Sequence, residues 1–139
     1  MSATKITVST IISAGIQKVW DYWTQPGHII NWNFASDDWH CPKAENDLKN
    51  GGKFNYTMAS RDGSMSFGFE GVYDEVTIHE KIAYTLLDDR AVVIRFETNG
   101  ETTRVTETFD AENLNSPELQ QTGWQAILDN FKKYVETSQ

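Results

Sequence analysis

The sequence predicts an α+β protein in which a curved antiparallel sheet of about seven strands wraps a long C-terminal helix, with two short helices after the first strand. Three observations carry this expectation. Apolar residues recur at helical spacing from Pro117 to about Glu136; six β-branched and aromatic runs separated by turn dipeptides fill the middle; one alternating segment opens the chain. One domain over residues 1–139 is expected, because 5 Trp, 5 Tyr and 7 Phe in 139 residues can build a single core. A chain of this length can bury roughly two-thirds of its unfolded surface.

Lys5 to Ile12 alternates, with Ile6, Val8 and Ile12 on one face and Thr7, Ser9 and Ile11 on the other, which is strand periodicity. Ser13 is read as the cap of a helix carrying Ile16, Val19, Trp20 and Trp23. Gln25-Pro26-Gly27 stops that helix, and Pro26 opens a second one ending near Trp32. The next strands are expected at Ala44 to Leu48, Lys53 to Ala59, Met65 to Val76, Ile82 to Leu87, Arg90 to Thr98 and Thr102 to Phe109. Asn50-Gly51, Asp62-Gly63, Asp88-Asp89 and Asn99-Gly100 are the turn signals, because these residues tolerate the positive φ of primed turns.

Ser116-Pro117-Glu118 combines a capping hydroxyl, a proline at the first helical position and a carboxylate at the positive end of the helix dipole. Trp124, Ala126, Ile127, Leu128, Phe131, Tyr134 and Val135 share a wide arc of this helix, with Leu119, Gly123 and Asn130 inside it. Gln121, Gln125, Asp129, Lys132, Lys133 and Glu136 are expected to face water. A helix of this length spans about 30 Å, enough to cover a small sheet. The resulting arrangement is a helix-grip, with room for a cavity between helix and sheet.

Acidic residues outnumber basic ones 20 to 12, a net charge of −8, so a phosphate backbone or an anionic membrane surface is repelled; nucleic acid is not an expected partner, nor is membrane insertion. Met1 to Ser9 lacks the pattern of a secretory leader, and the single cysteine, Cys41, suits a reducing compartment, so a cytoplasmic location is expected. His28, His40 and His79 are too scattered to suggest a metal site, and no cofactor signature is present. His40 and Cys41 are neighbours, which places them on opposite faces of a strand and makes them a poor base and nucleophile pair.

Val19-Trp20, Trp32, Asn50-Gly51-Gly52-Lys53-Phe54, Asp62-Gly63, Gly71-Val72-Tyr73, Thr103 and Gly123-Trp124 occur in an order and spacing that cover almost the whole chain. In these residues the chain resembles the homologues of the activator of the ninety-kilodalton heat-shock-protein ATPase. That family lies in the START-like (SRPBCC) superfamily of helix-grip proteins, which also holds polyketide cyclases. The resemblance implies an apolar cavity for a hydrophobic small molecule, such as a lipid or polyketide-like compound. Ala14-Gly15 stands where the family often has a proline before the first helix. No additional co-chaperone domain is expected, which weighs against chaperone activation.

Phe54, Tyr56 and Met58 share one face of their strand, and Met65, Phe67, Phe69 and Tyr73 share a face of the next, with Gly71 between. Either row suits a packed core or a cavity wall; the adaptable thioethers and the missing side chain at Gly71 favour the wall. Ile127, Phe131 and Tyr134 are expected to close the cavity from the helix. Asn130 on the helix arc, and Glu107 between Val105 and Phe109, are polar groups on apolar faces, so each is paired internally or offered to a ligand. Desolvation should raise the Glu107 pKa unless Arg95 lies close. The first functional expectation is a non-enzymatic protein binding a hydrophobic or aromatic small molecule. A cyclase- or hydrolase-type enzyme using Glu107, Asn130, His40 or a tyrosine is an alternative, and a chaperone-associated interaction module is another.

Overall fold

In the computed structural model, which describes residues 4–138, ten elements follow in the expected order. They are β1 (Lys5–Ile12), α1 (Ile16–Thr24), α2 (Pro26–Ile29), β2 (Trp39–Asn46), β3 (Lys53–Ser60), β4 (Ser66–Thr77), β5 (Lys81–Leu86), β6 (Ala91–Asn99), β7 (Thr102–Asp110) and α3 (Pro117–Thr137). The ends of the expected domain, residues 1–3 and 139, lie outside the described residues. All seven strands form one antiparallel sheet in the order β1-β7-β6-β5-β4-β3-β2. The fold is the helix-grip α+β arrangement expected from the sequence.

Turn chemistry sets the strand boundaries. Gly51, Gly63, Asp89 and Gly100 take positive φ between 65° and 83°, as the turn dipeptides required. His79 does the same at 66°, without a sequence signal. The β2 strand starts at Trp39 rather than near Ala44, because Pro42 does not end it: the register slips between His40 and Lys43, and an edge strand tolerates a residue without an N–H there. A second irregularity, between Tyr73 and Glu75, turns exposed Asp74 outward while Tyr73 stays buried.

The inward rows are continuous across the sheet. Val8, Glu107, Ile94 and Ile82 form one, and Ile6, Phe109, Val92 and Tyr84 the next. The α3 helix lies over this face, capped by the Ser116 hydroxyl, which accepts from the Leu119 N–H at 3.1 Å. Its flank also covers the free edge of β1. Gln121, Gln125 and Lys132 donate to the carbonyls of Thr7, Ser9 and Ile11, alternate residues on the unpaired side of that strand. These three side chains therefore bind the sheet edge as well as meeting water.

Two further local readings are corrected. The α1 helix is capped at Gly15 without a side-chain bond, while the Ser13 N–H donates to Glu136 at 2.8 Å. At the start of α3, Leu119 is 59 % exposed and Gln120 is buried instead. Gln120 is held there by accepting from the Glu112 N–H and donating to the Asn115 carbonyl, both at 2.8 Å. The second short helix ends at Ile29, earlier than expected, and the Trp32 indole then anchors its exit by donating to the Tyr22 carbonyl at 2.9 Å.

Candidate ligand cavity

The concave face is filled at one end and hollow at the other. At the α1/α2 end, Phe131 of α3 is fully buried between Trp23 and Trp32, with ring centroids 4.8 and 4.7 Å away. Toward the start of α3 the rings separate and leave a cavity of about 340 Å³. That volume lies in the range of small-molecule sites.

The sheet supplies most of the wall: Phe54, Tyr56 and Met58 from β3, Phe67, Phe69 and Tyr73 from β4, Ile82 and Tyr84 from β5, and Glu107 from β7. Gly123, Trp124 and Ile127 line it from α3, and Trp23, Trp32, Arg90, Glu112, Asn115 and Leu119 also border it. The half-exposed Phe67 and Leu119 present apolar surface to solvent. Trp124 stacks on Phe109 with centroids 3.8 Å apart and planes 12° from parallel, so one ring face is packed while another part of the side chain borders the hollow. Trp124→Ala should cost about 2–3 kcal/mol in urea denaturation, below the usual range for a fully buried Trp because the ring is only partly enclosed. A loss under about 1 kcal/mol would mean that the stack contributes little beyond a surface contact.

Eight of the twelve residues singled out in the sequence meet in this cavity: Phe54, Tyr56, Met58, Phe67, Phe69, Tyr73, Glu107 and Ile127. Four do not. Met65 precedes β4 and is 60 % exposed, its carbonyl accepting from the Ser60 N–H in the turn. Asn130 donates to the Trp32 carbonyl at 2.9 Å, Phe131 packs in the filled end, and the Tyr134 hydroxyl sits 2.7 Å from His28 Nδ1. All three belong to the part of α3 that covers the short helices instead of the hollow. Gly71 is corrected too: a Cβ there would lie 2.5 Å from the Thr85 carbonyl and 2.9 Å from the Phe54 ring, so this glycine lets strand and ring pack closely and leaves no free space. Gly123, in mid-helix, is the glycine that borders the cavity with open space beyond it.

Trp23, Trp32, Tyr84 and Trp124 line the cavity without having been singled out as site residues. For Tyr84 a signal existed, the alternation Ile82, Tyr84, Leu86 along β5. The polar groups divide into two sets. Asn46 bridges the Thr24 carbonyl and the Tyr73 hydroxyl, which lies 3.3 Å from that of Tyr56; enclosure raises the pKa of both phenols. Glu107, 5 % exposed, has its pKa pushed up to about 8 by burial. Arg95 is on the other face, beside Glu75 and Lys81, and does not oppose that shift. Burial also raises the Tyr84 phenol, and the Glu107 charge adds to it. Among the described residues no group of three or more His, Cys, Asp or Glu is placed to hold a metal ion, and no helix is long and apolar enough to cross a membrane.

A seven-stranded sheet gripping a terminal helix over an aromatic-lined cavity defines a protein of the helix-grip class. The family model for Activator of Hsp90 ATPase homolog 1-like protein matches residues 13–136, and the chain belongs to that family, within the SRPBCC superfamily. It is similar to the solution structure of an AHSA1-like protein from Aeromonas hydrophila, at 43 % identity and a TM-score of 0.90 over 96 % of this chain and 92 % of that one. A solution structure from Cytophaga hutchinsonii is 55 % identical, with a TM-score of 0.83 over 95 % of this chain and 92 % of that one. A crystal structure from Chromobacterium violaceum shares the fold at 22 % identity, with a TM-score of 0.87 over 97 % and 99 % of the two chains. No curated protein matches.

Proposed function

We propose that this chain acts as one cytoplasmic domain that binds a hydrophobic or aromatic small molecule in the cavity between the sheet and α3. The observation that carries the reading is a hollow of about 340 Å³ walled by aromatic side chains and bordered by a helix glycine with open space beyond it. A glycine in mid-helix costs about 1 kcal/mol relative to alanine. Its place opposite open space fits a site that must stay empty for a ligand. Family membership supports the same class of function, and the chaperone-associated alternative rests on that membership alone. The enzymatic alternative, of cyclase or hydrolase type, would draw a general acid from Glu107.

Fluorescence titration with the neutral dye N-phenyl-1-naphthylamine tests this. The native protein should bind it with a definite stoichiometry. Gly123→Phe should weaken binding by at least about tenfold while leaving the fold as stable or more so, because the ring enters open space and the helix loses an unfavourable residue. Undiminished binding by the folded variant would place the apolar site elsewhere, for example on the exposed Met65 or Leu87 side chain.

A further inference from the structure

The Glu107 carboxyl and the Tyr84 hydroxyl border the cavity, and neither makes a hydrogen bond to another of the described residues. They stand in neighbouring inward rows of the sheet, two strands apart, and the charge of Glu107 is the strongest electrostatic influence on Tyr84. Neither group is sealed off: their polar atoms reach the hollow, so a molecule bound there can supply the partner that the protein does not. Four other polar neighbours have partners within the protein. Arg90 is held by Asp88 at 2.7 Å, Gln120 by Glu112 and Asn115, and Tyr56 and Tyr73 by one another and Asn46. From β1 and β6 the residues paired with Glu107 are Val8 and Ile94, and from α3 the cavity receives Gly123, Trp124 and Ile127. Glu112 is the other acid that lines the cavity.

We propose that the Glu107 carboxyl and the Tyr84 hydroxyl form a pair of hydrogen-bond donors for a carbonyl or phenolic oxygen on the ligand, so that the cavity selects hydrophobic acceptors over hydrocarbons and amines. This rests on the reading that the cavity binds an apolar molecule. A protonated carboxyl donates, whereas a carboxylate only accepts and repels an oxygen lone pair. Burial keeps Glu107 protonated up to about pH 8, so the donor is present at neutral pH. An amine would require two charges to be desolvated together in an aromatic enclosure, a cost that a buried ion pair often fails to recover. A pair of neutral donors involves no such cost.

The test uses acetylnaphthalene, ethylnaphthalene and the corresponding aminoethyl compound, which share a ring system and side-chain length, titrated against the intact protein by tryptophan fluorescence. At about pH 6.5 the ketone should bind about fivefold more tightly than the hydrocarbon, the size of one net hydrogen bond, and this preference should vanish at about pH 9.5. Glu107→Leu and Tyr84→Phe should each reduce the preference, because each leaves one donor of the pair, and Glu107→Gln, which keeps a donor, should retain it while losing its pH dependence. Equal binding of ketone and hydrocarbon by the wild type, or an unchanged preference in Glu107→Leu and Tyr84→Phe, would overturn the donor pair and leave the cavity reading standing. Tighter binding of the amine, strengthening as pH rises, would also overturn it. Binding of none of the three would overturn the cavity reading itself, and the donor pair with it.

Discussion

Glu107→Gln is expected to stabilise the protein by an amount that grows with pH. In the unfolded chain this carboxyl titrates at its ordinary 4.5, whereas in the folded protein burial holds it at about 8. Below 4.5 both states are protonated and the residue is neutral in its effect. Between the two values the unfolded chain has released a proton that the folded protein retains, so stability falls by about 1.4 kcal/mol per pH unit. Above about 8 both states are ionised and the penalty levels off at roughly 4–5 kcal/mol. That is a large fraction of the roughly 5–15 kcal/mol by which a domain is stable. Asp110, Glu75 and Glu136 act in the opposite sense. Lys5, Lys81 and Lys132 respectively donate to them and hold them below their ordinary range, so their contribution is lost as pH falls. Because both proteins share those groups, the difference between wild type and Glu107→Gln isolates the buried acid. Chemical denaturation at about pH 5, 7 and 9 should show the variant's advantage rising by several kcal/mol across the series. Parallel curves would mean that the ionised carboxylate finds water or a cation inside the cavity.

The position of Glu107 was legible because a strand's alternation is strict. Val105, Glu107 and Phe109 must share a face, and with neighbours of that character the face must be internal. The same rule placed Phe54, Tyr56, Met58, Phe67 and Phe69 toward the helix. It carries no information on how far along the concave face a residue lies. Ile127 and Phe131 belong to one apolar arc of α3, yet Ile127 overlooks the hollow while Phe131 is sealed between two indoles contributed by α1 and the exit of α2. That division depends on where the short helices pack, a tertiary fact without a local signature. Asn130 and Tyr134 were misplaced for the same reason, and both prove to be fastened to the α2 region.

Glycine was misread through a related limit. The missing side chain at Gly71 suggested space, whereas the neighbouring Phe54 ring and Thr85 carbonyl occupy it. Gly123 looked like one more member of a helix arc, and only the sheet's curvature leaves room in front of it. Sequence shows where a side chain is absent; packing decides whether something else fills the gap. Strand boundaries followed local chemistry more closely. The positive φ of Gly51, Gly63, Asp89 and Gly100 accompanies the expected turns, and the early start of β2 reflects a proline accommodated at an edge.

Phe131→Ala should be among the most destabilising single substitutions in α3, at about 3–5 kcal/mol in urea denaturation. The ring has no exposed surface and meets Trp23 and Trp32 edge to face, while those two indoles stand 4.9 Å apart at their centroids. Its removal leaves a void lined by rigid rings that have their own fixed partners: Trp32 donates to the Tyr22 carbonyl and Trp23 packs on Phe96. Neither indole can easily move in, so the transfer loss and the cavity cost add. Because Trp23 and Trp32 also border the hollow, the void would extend the cavity rather than obstruct it. Phe131→Ala should therefore lower stability while retaining hydrophobic dye binding, the reverse of the loss of binding with preserved stability expected for Gly123→Phe. A loss below about 1 kcal/mol would show that the indoles close on one another and that the filled end of the grip is softer than its packing implies.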